Sequence, residues 1–131
     1  ICKSRKKKAD NAPERIAGSG KENSANSSHS AQVCKYHGII IKPDHIISAF
    51  DVQHGKPHPE PYLKAWERSG FRKEECMVVE NAPLGTRAGK AAGLFVAAVN
   101  TGPLPDSDLT AEGADRVFPS MHALLEWLQQ N

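Results

Sequence analysis

Residues 77–85 read Met-Val-Val-Glu-Asn-Ala-Pro-Leu-Gly, and they predict a strand that leads directly into a helix. The short apolar run 77–79 is rich in β-branched residues and is typical of a buried strand. Proline is tolerated in a first helical turn, so Pro83 is compatible with a helix that ends near Gly93. The apolar run 94–99 predicts a second buried strand directly after it.

The same alternation of strand and helix continues on both sides of this unit. We expect a short strand at 45–50, a helix at 59–68, one or two helical turns within 106–113, a strand at 116–118 and a helix capped by Ser120. Strands that alternate with helices of about ten residues indicate βα units around a parallel sheet. The fold class is therefore α/β, with helices covering both faces of a sheet of nearly continuous apolar strands.

Charge and core-forming residues divide the chain after Gly38. Residues 1–38 hold 8 basic and 3 acidic side chains, whereas residues 39–131 hold 9 basic and 12 acidic ones. All eight leucines follow Tyr62. We therefore expect 1–38 to be a basic, Ser/Asn-rich and poorly structured N-terminal leader, because it cannot bury enough apolar surface to offset its ordering entropy. Residues 39–131 are the α/β part.

The leader has two alternative interpretations. Its basic block, Arg5-Lys6-Lys7-Lys8, is compatible with a nucleic-acid-binding arm or a localisation signal. It could equally be a solvated, disordered or frame-shifted segment. The second interpretation is favoured because the leader has one basic cluster and no interleaved aromatic residues, so nucleic acid is an unlikely partner.

Composition also bears on the compartment. No apolar run approaches the roughly 20 residues of a membrane helix, and the basic block is not followed by the apolar segment of a secretory signal. The three cysteines are widely spaced without a Cys-x-x-Cys pair, which argues against a disulfide framework or a structural zinc site. These features predict a cytoplasmic protein without a membrane partner.

Polar side chains follow the first strand of the quoted unit. Glu80 and Asn81 come directly after it, and Lys56 lies in the loop before the helix at 59–68. Open parallel sheets place ligands at the carboxyl ends of their strands, and carboxylate and amide oxygens suit Mg²⁺. A lysine there would hold a phosphoryl group as a point charge. A strand-end glutamate is also a common surface residue, so spacing alone leaves the function open.

Three segments together resemble the haloacid dehalogenase (HAD) superfamily, in its β-phosphoglucomutase and phosphoglycolate phosphatase-like branch. They are Gly-Lys-Pro-His-Pro-Glu-Pro-Tyr at 55–62, the quoted segment 77–85, and Ala-Gly-Lys-Ala-Ala-Gly at 88–93. The resemblance covers residues 44–130 and implies the C-terminal part of a Rossmann-like core. It implies an Mg²⁺-dependent phosphatase or phosphomutase that acts on a sugar phosphate or phosphoglycolate through an aspartyl-phosphate intermediate.

The resemblance also implies site residues. Lys56 matches the family lysine that stabilises the aspartyl nucleophile and the phosphoryl group. Glu80 matches the first acid of the metal-binding motif, and Asn81 stands where many members have aspartate, keeping an oxygen donor without its charge. His58 is a further candidate for the phosphate site. A metal role for His54 and His58 is disfavoured, because the neighbouring prolines prevent the helix that their spacing would need.

The motif that would carry the nucleophile is missing. The family begins its chemistry at an Asp-x-Asp strand, and no such motif precedes Lys56. Asp106-Ser107-Asp108 follows a proline-rich loop and is interpreted as a loop or helix N-terminus, while Ile-Ala-Gly-Ser-Gly at 16–20 only faintly resembles the phosphate-binding hydroxyl motif. We therefore expect a truncated HAD-type hydrolase of doubtful activity on its own. The alternative is a non-catalytic fragment with a nucleic-acid-binding arm.

Overall fold

The computed structural model describes residues 43–131. The predicted leader, residues 39–42 and the hydroxyl motif at 16–20 lie outside this part. The described chain forms four helices and three strands, in this order: α1 (Glu60–Ser69), β1 (Met77–Glu80), α2 (Pro83–Ala91), β2 (Phe95–Val99), α3 (Asp106–Ala111), β3 (Arg116–Phe118) and α4 (Met121–Gln130). Each element from α1 onward matches the sequence prediction to within about two residues.

The three strands form one parallel sheet in the order β1-β2-β3. Val78 pairs with Val96 and Val79 pairs with Ala97, so equivalent side chains of β1 and β2 point to the same face. Because the strands are parallel, their carboxyl ends lie along one edge of the sheet. The α/β fold predicted from the sequence is confirmed.

Helices cover the two faces with separate apolar clusters. On one face, α1 packs Tyr62, Leu63 and Trp66 against a buried cluster that includes Val78 and Val96. On the other face, α4 contributes to a cluster made of Ala97, Val99, Phe118 and Leu124, with Ala123, Trp127 and Leu128 packed against it. This arrangement explains why β1 and β2 are apolar along nearly their whole length.

Gly89 sets the distance between α2 and the sheet. A Cβ atom at this position would lie 2.8 Å from a methyl carbon of Val96 and 3.2 Å from one of Val78. The helix backbone therefore rests directly on both strands, and this close contact fixes the height of α2 above the carboxyl end of β1.

The strand predicted at 45–50 is wrong. The structure has 3₁₀ turns at Pro43–His45 and Ala49–Asp51 instead. The Ser48 hydroxyl accepts from Phe50 N at 3.3 Å, and the Asp51 carboxylate accepts from Ser48 N at 2.8 Å. Serine and aspartate that bind nearby backbone groups compete with strand pairing. The apolar character of this segment was misleading, since Phe50 is 84% exposed.

Two further observations concern the predicted compartment. Among the described residues, no helix has both the length and the apolar character that crossing a bilayer requires. Cys76 is buried just before β1. The reduced state of the cysteines and the cytoplasmic compartment stay predictions.

Replacing Ser120 with alanine should destabilise the chain by about 1 kcal/mol, because an N-cap hydroxyl satisfies an otherwise unpaired helix N–H. Ser120 caps α4 as predicted, and its hydroxyl accepts from Ala123 N at 3.1 Å. Urea unfolding measures the loss. His122→Ala, at an exposed position in the same helix, is the control and should change the free energy of unfolding by less than about 0.5 kcal/mol. Equal losses in both variants would contradict the capping role.

Candidate functional site

A lysine and a glutamate meet at the carboxyl end of β1. Glu80 is the last residue of the strand, and Lys56 comes from the loop before α1. The Lys56 ammonium donates a hydrogen bond to Glu80 Oε1. The Glu80 side chain is 9% exposed, whereas Lys56 is 43% exposed. The structure thus joins two predicted site residues that are 24 positions apart, with the carboxylate sheltered and the ammonium open to solvent.

Tyr62 completes this group from the first turns of α1. Its hydroxyl also donates to Glu80 Oε1, and the Asn81 backbone N–H donates to Oε2 at 3.2 Å. Burial raises the pKa of Glu80, but the hydrogen bonds from Lys56 and Tyr62 outweigh it and lower the pKa below its usual value. Burial and the adjacent carboxylate raise the pKa of Tyr62. At neutral pH the group is an ionised carboxylate held by one cation and one neutral phenol.

Gly85 makes room for this carboxylate. It lies in the first turn of α2 and is buried. A Cβ atom placed on it would overlap with the carboxylate carbon and both oxygens of Glu80. The Glu80 side chain therefore lies against the bare backbone of α2, near the end of the helix where N–H groups have no intrahelical partners.

The loop that carries Lys56 is braced by Glu60. The Glu60 carboxylate accepts from Gln53 N and from His54 N, each at 2.9 Å, and lies 3.1 Å from the Lys64 ammonium. The Gln53 N–H contributes most to lowering the pKa of Glu60, which falls to about 2. The first residue of α1 thus ties the start of the loop to the helix and fixes the loop around Lys56.

The comparisons with known proteins fit this geometry. The family model described as haloacid dehalogenase-like hydrolase matches residues 23–93, which include the loop of Lys56, strand β1 and helix α2. The chain belongs to the haloacid dehalogenase-like hydrolase family. The match begins upstream of Gly38, within the segment that we treated as a leader, and the domain boundary stays a prediction.

Named relatives of this HAD-like chain include two phosphatases. The chain is 45% identical to glycerol-1-phosphate phosphohydrolase 1 of Saccharomyces cerevisiae over 69 residues, covering 47% of the chain and 28% of the relative. It is 45% identical to hexitol phosphatase A of Escherichia coli over 58 residues, covering 44% and 27%. The chain therefore spans little more than a quarter of the length of these relatives.

A solved structure supports the same fold. The model superposes on a putative β-phosphoglucomutase from Bacteroides vulgatus with a TM-score of 0.71 and 46% identity, covering 77% of this chain and 43% of the other. Together with the family match, this confirms the predicted HAD-like resemblance and the Rossmann-type arrangement.

The other predicted site residues of the HAD-like chain have different surroundings. Asn81 follows Glu80 and is exposed. His58 contacts the Glu60 backbone and the ring of His54 rather than Glu80. The roles of all four residues stay predictions, and of these four only Lys56 and Glu80 are joined by a side-chain hydrogen bond within the described residues.

The chemistry of the donors fits Mg²⁺ in part. Glu80 and Asn81 offer a carboxylate and an amide oxygen, which are hard ligands. Glu80 Oε1 already accepts from Lys56 and Tyr62, so an ion would share the carboxylate with them. These two residues can supply only part of an octahedral shell, and the other ligands would have to come from elsewhere.

Sequence reasoning missed Tyr62, Glu60 and Gly85. Nothing in the pattern pairs Tyr62 with Glu80, because only the packing of α1 on the sheet brings them together. Gly85 carried a signal, since a glycine inside a predicted helix has a cost that needs a packing reason. The rejected motif at Asp106-Ser107-Asp108 was interpreted correctly: it opens α3, and Asp106 accepts from the Asn100 side chain at 2.6 Å.

Proposed function

We propose that this chain supplies the lysine and the metal-side acid of an Mg²⁺-dependent HAD-type phosphatase that acts on a small phosphorylated metabolite. The observation that carries the proposal is the contact of Lys56 with Glu80 at the carboxyl end of β1. The relatives named as phosphatases of glycerol-1-phosphate and hexitol favour a sugar or polyol phosphate as substrate.

Each side chain has a distinct task in this proposal. Lys56 is exposed enough for its ammonium to turn from Glu80 toward a phosphoryl oxygen, where a point charge offsets developing negative charge. Glu80 and Asn81 would hold Mg²⁺, which when bound would polarise the phosphoryl group and reduce its repulsion of an incoming carboxylate. Tyr62 keeps Glu80 oriented and ionised. His58 is proposed only as a lining residue near the substrate.

The attacking carboxylate is assigned to a segment other than α3. The only Asp-x-Asp of the sequence is Asp106–Asp108, and it lies at a helix N-terminus with Asp106 bound to Asn100. A carboxylate nucleophile would form an aspartyl phosphate that water then hydrolyses. We therefore propose that the 131-residue chain has no phosphatase activity above background unless another polypeptide supplies this group.

A chimera tests the proposal directly. Residues 44–131 would replace the aligned part of E. coli hexitol phosphatase A, which supplies the remainder of a family core. We expect the chimera to release phosphate from an aryl phosphate and from polyol phosphates, with EDTA abolishing turnover and Mg²⁺ restoring it. The chain alone should show no turnover in the same assay.

The outcomes separate the parts of the proposal. A chimera that melts cooperatively yet shows no turnover would overturn the assignment of Lys56 and Glu80 to a phosphatase site. Turnover by the isolated chain would overturn the claim that the nucleophile lies elsewhere. Turnover insensitive to EDTA would exclude the Mg²⁺ role.

A further inference from the structure

We propose that His54, His58 and Glu60 form a second metal site, suited to a transition ion such as Zn²⁺, Co²⁺ or Ni²⁺. One ligand atom from each of the three side chains lies within 4.8 Å of the others. Two imidazoles and a carboxylate are the donors that zinc prefers, in contrast to the all-oxygen donors at Glu80 and Asn81. This site contains neither Lys56 nor Glu80 and shares only His58 with the proposed substrate lining, so metal binding here does not depend on phosphatase activity.

A turn replaces the helix that the sequence spacing would otherwise require. His58 N donates to Gly55 O at 3.0 Å, which closes a tight turn through Lys56 and Pro57. The turn brings the rings of His54 and His58 to a centroid distance of 4.6 Å, with 33° between their planes. The prolines that exclude helical metal spacing thus do not keep the two histidines apart.

The Nδ1 atoms of both histidines face Glu60. His54 Nδ1 lies 3.1 Å from Glu60 Oε2, and His58 Nδ1 accepts from Glu60 N at 3.2 Å. Because His58 Nδ1 acts as an acceptor, a neutral ring must carry its proton on Nε2. In that tautomer the Nδ1 lone pair accepts from Glu60 N, so a metal ion at Nδ1 would replace this hydrogen bond. It would also displace the proton that His54 shares with the Glu60 carboxylate.

Glu60 is fixed before any ion arrives. Its carboxylate is held by the backbone N–H groups of Gln53 and His54, and its side chain is only 16% exposed. A fixed carboxylate beside two exposed imidazoles needs modest rotation of the rings to close on an ion, while water can fill the open positions. The neighbouring Lys64 ammonium, 3.1 Å from Oε1, leaves Oε2 as the metal-facing oxygen.

Titration of the full chain with Co²⁺ and Zn²⁺ tests the site. We expect one specific site, read from the visible absorption of Co²⁺ and from calorimetry with Zn²⁺ against a competing chelator. His54→Ala and His58→Ala should each weaken binding by at least about tenfold, since even changes to residues that only support ligands cost 10–100-fold. Both positions are exposed, so the variants should keep the wild-type melting temperature.

His122→Ala is the matched control. His122 Nε2 lies 3.2 Å from Glu126 Oε1 on α4, so it offers an exposed histidine–carboxylate pair without a third ligand. Removing the His122 imidazole should leave the affinity for Co²⁺ and Zn²⁺ unchanged. Wild-type affinity in His54→Ala and His58→Ala would overturn the proposal and place the binding on other histidines. Displacement of Zn²⁺ by an equal concentration of Mg²⁺ would also overturn it, and NMR shifts of the two named imidazoles upon Zn²⁺ addition would support it.

Discussion

Replacing Lys56 with alanine in the hexitol phosphatase chimera should lower kcat by about 10²–10³-fold, the range seen when one preorganised charge-stabilising donor is removed from an active site. In the structure Lys56 is the cation that contacts Glu80, and its side chain is exposed enough to reach a phosphoryl oxygen. Steady-state kinetics on an aryl phosphate measures the loss. A variant in which only KM rises would show that Lys56 binds substrate without acting on the transition state.

The same variant should shift the pH dependence in a defined direction. Burial raises the pKa of Glu80, and Lys56 is among the groups that outweigh this effect. Without the ammonium, the carboxylate should protonate at higher pH, so the acid limb of the kcat/KM profile should move upward. A lowered pKa gives stability that is present above the unfolded value and lost as pH falls through the folded value. Lys56→Ala should therefore narrow the stable range at its acid end.

Lys90→Ala is the control for both measurements. Lys90 also forms an ion pair with a carboxylate, at 2.8 Å from Asp115, and its side chain is 36% exposed. This pair lies away from Glu80, so its loss should leave kcat and the acid limb unchanged. A comparable fall in kcat in both variants would mean that the Lys56 effect reflects general destabilisation.

The strands and helices from α1 onward were predictable because their signals are local. Apolar runs such as 94–99, the stop at Gly70 and the cap at Ser120 each act within a few residues. The segment 45–50 failed because its apolar residues suggested burial, whereas the hydrogen bonds of Ser48 and Asp51 decide its conformation. A side chain that binds its own backbone can override a short apolar pattern.

The candidate site was predictable in its residues and not in its contacts. Glu80 was proposed because a parallel sheet gathers polar groups at one edge. Lys56 follows no strand of the described residues, so its proposal rests on the Gly-Lys-Pro segment that resembles the HAD family. The phenol of Tyr62 was not proposed, since its partner is set by how α1 packs on β1. His58 shows the opposite case, because its nearest partners are His54 and Glu60 rather than the strand end. Contacts between distant segments follow from packing, which a single sequence does not encode position by position.

Gly85→Ala should impair the site without touching a charged residue. Alanine in a helix is normally favoured over glycine by about 1 kcal/mol. Here the added methyl group would overlap with the Glu80 carboxylate, so either the side chain or α2 must move. Overpacking of this kind costs about 1–3 kcal/mol, which exceeds the gain in helix propensity. We expect a net loss of stability and at least a tenfold loss of kcat in the chimera.

A double-mutant cycle separates this clash from a general effect on the helix. In a Glu80→Ala background the overlapping carboxylate is gone, so Gly85→Ala should recover the stabilising sign expected from helix propensity. Gly102→Ala, where a Cβ atom would meet nothing within 4 Å, is the control and should not depend on residue 80. Additive effects of the Gly85 and Glu80 substitutions would show that the glycine serves only helix packing. A coupling of more than about 1 kcal/mol would show that it holds the carboxylate in place.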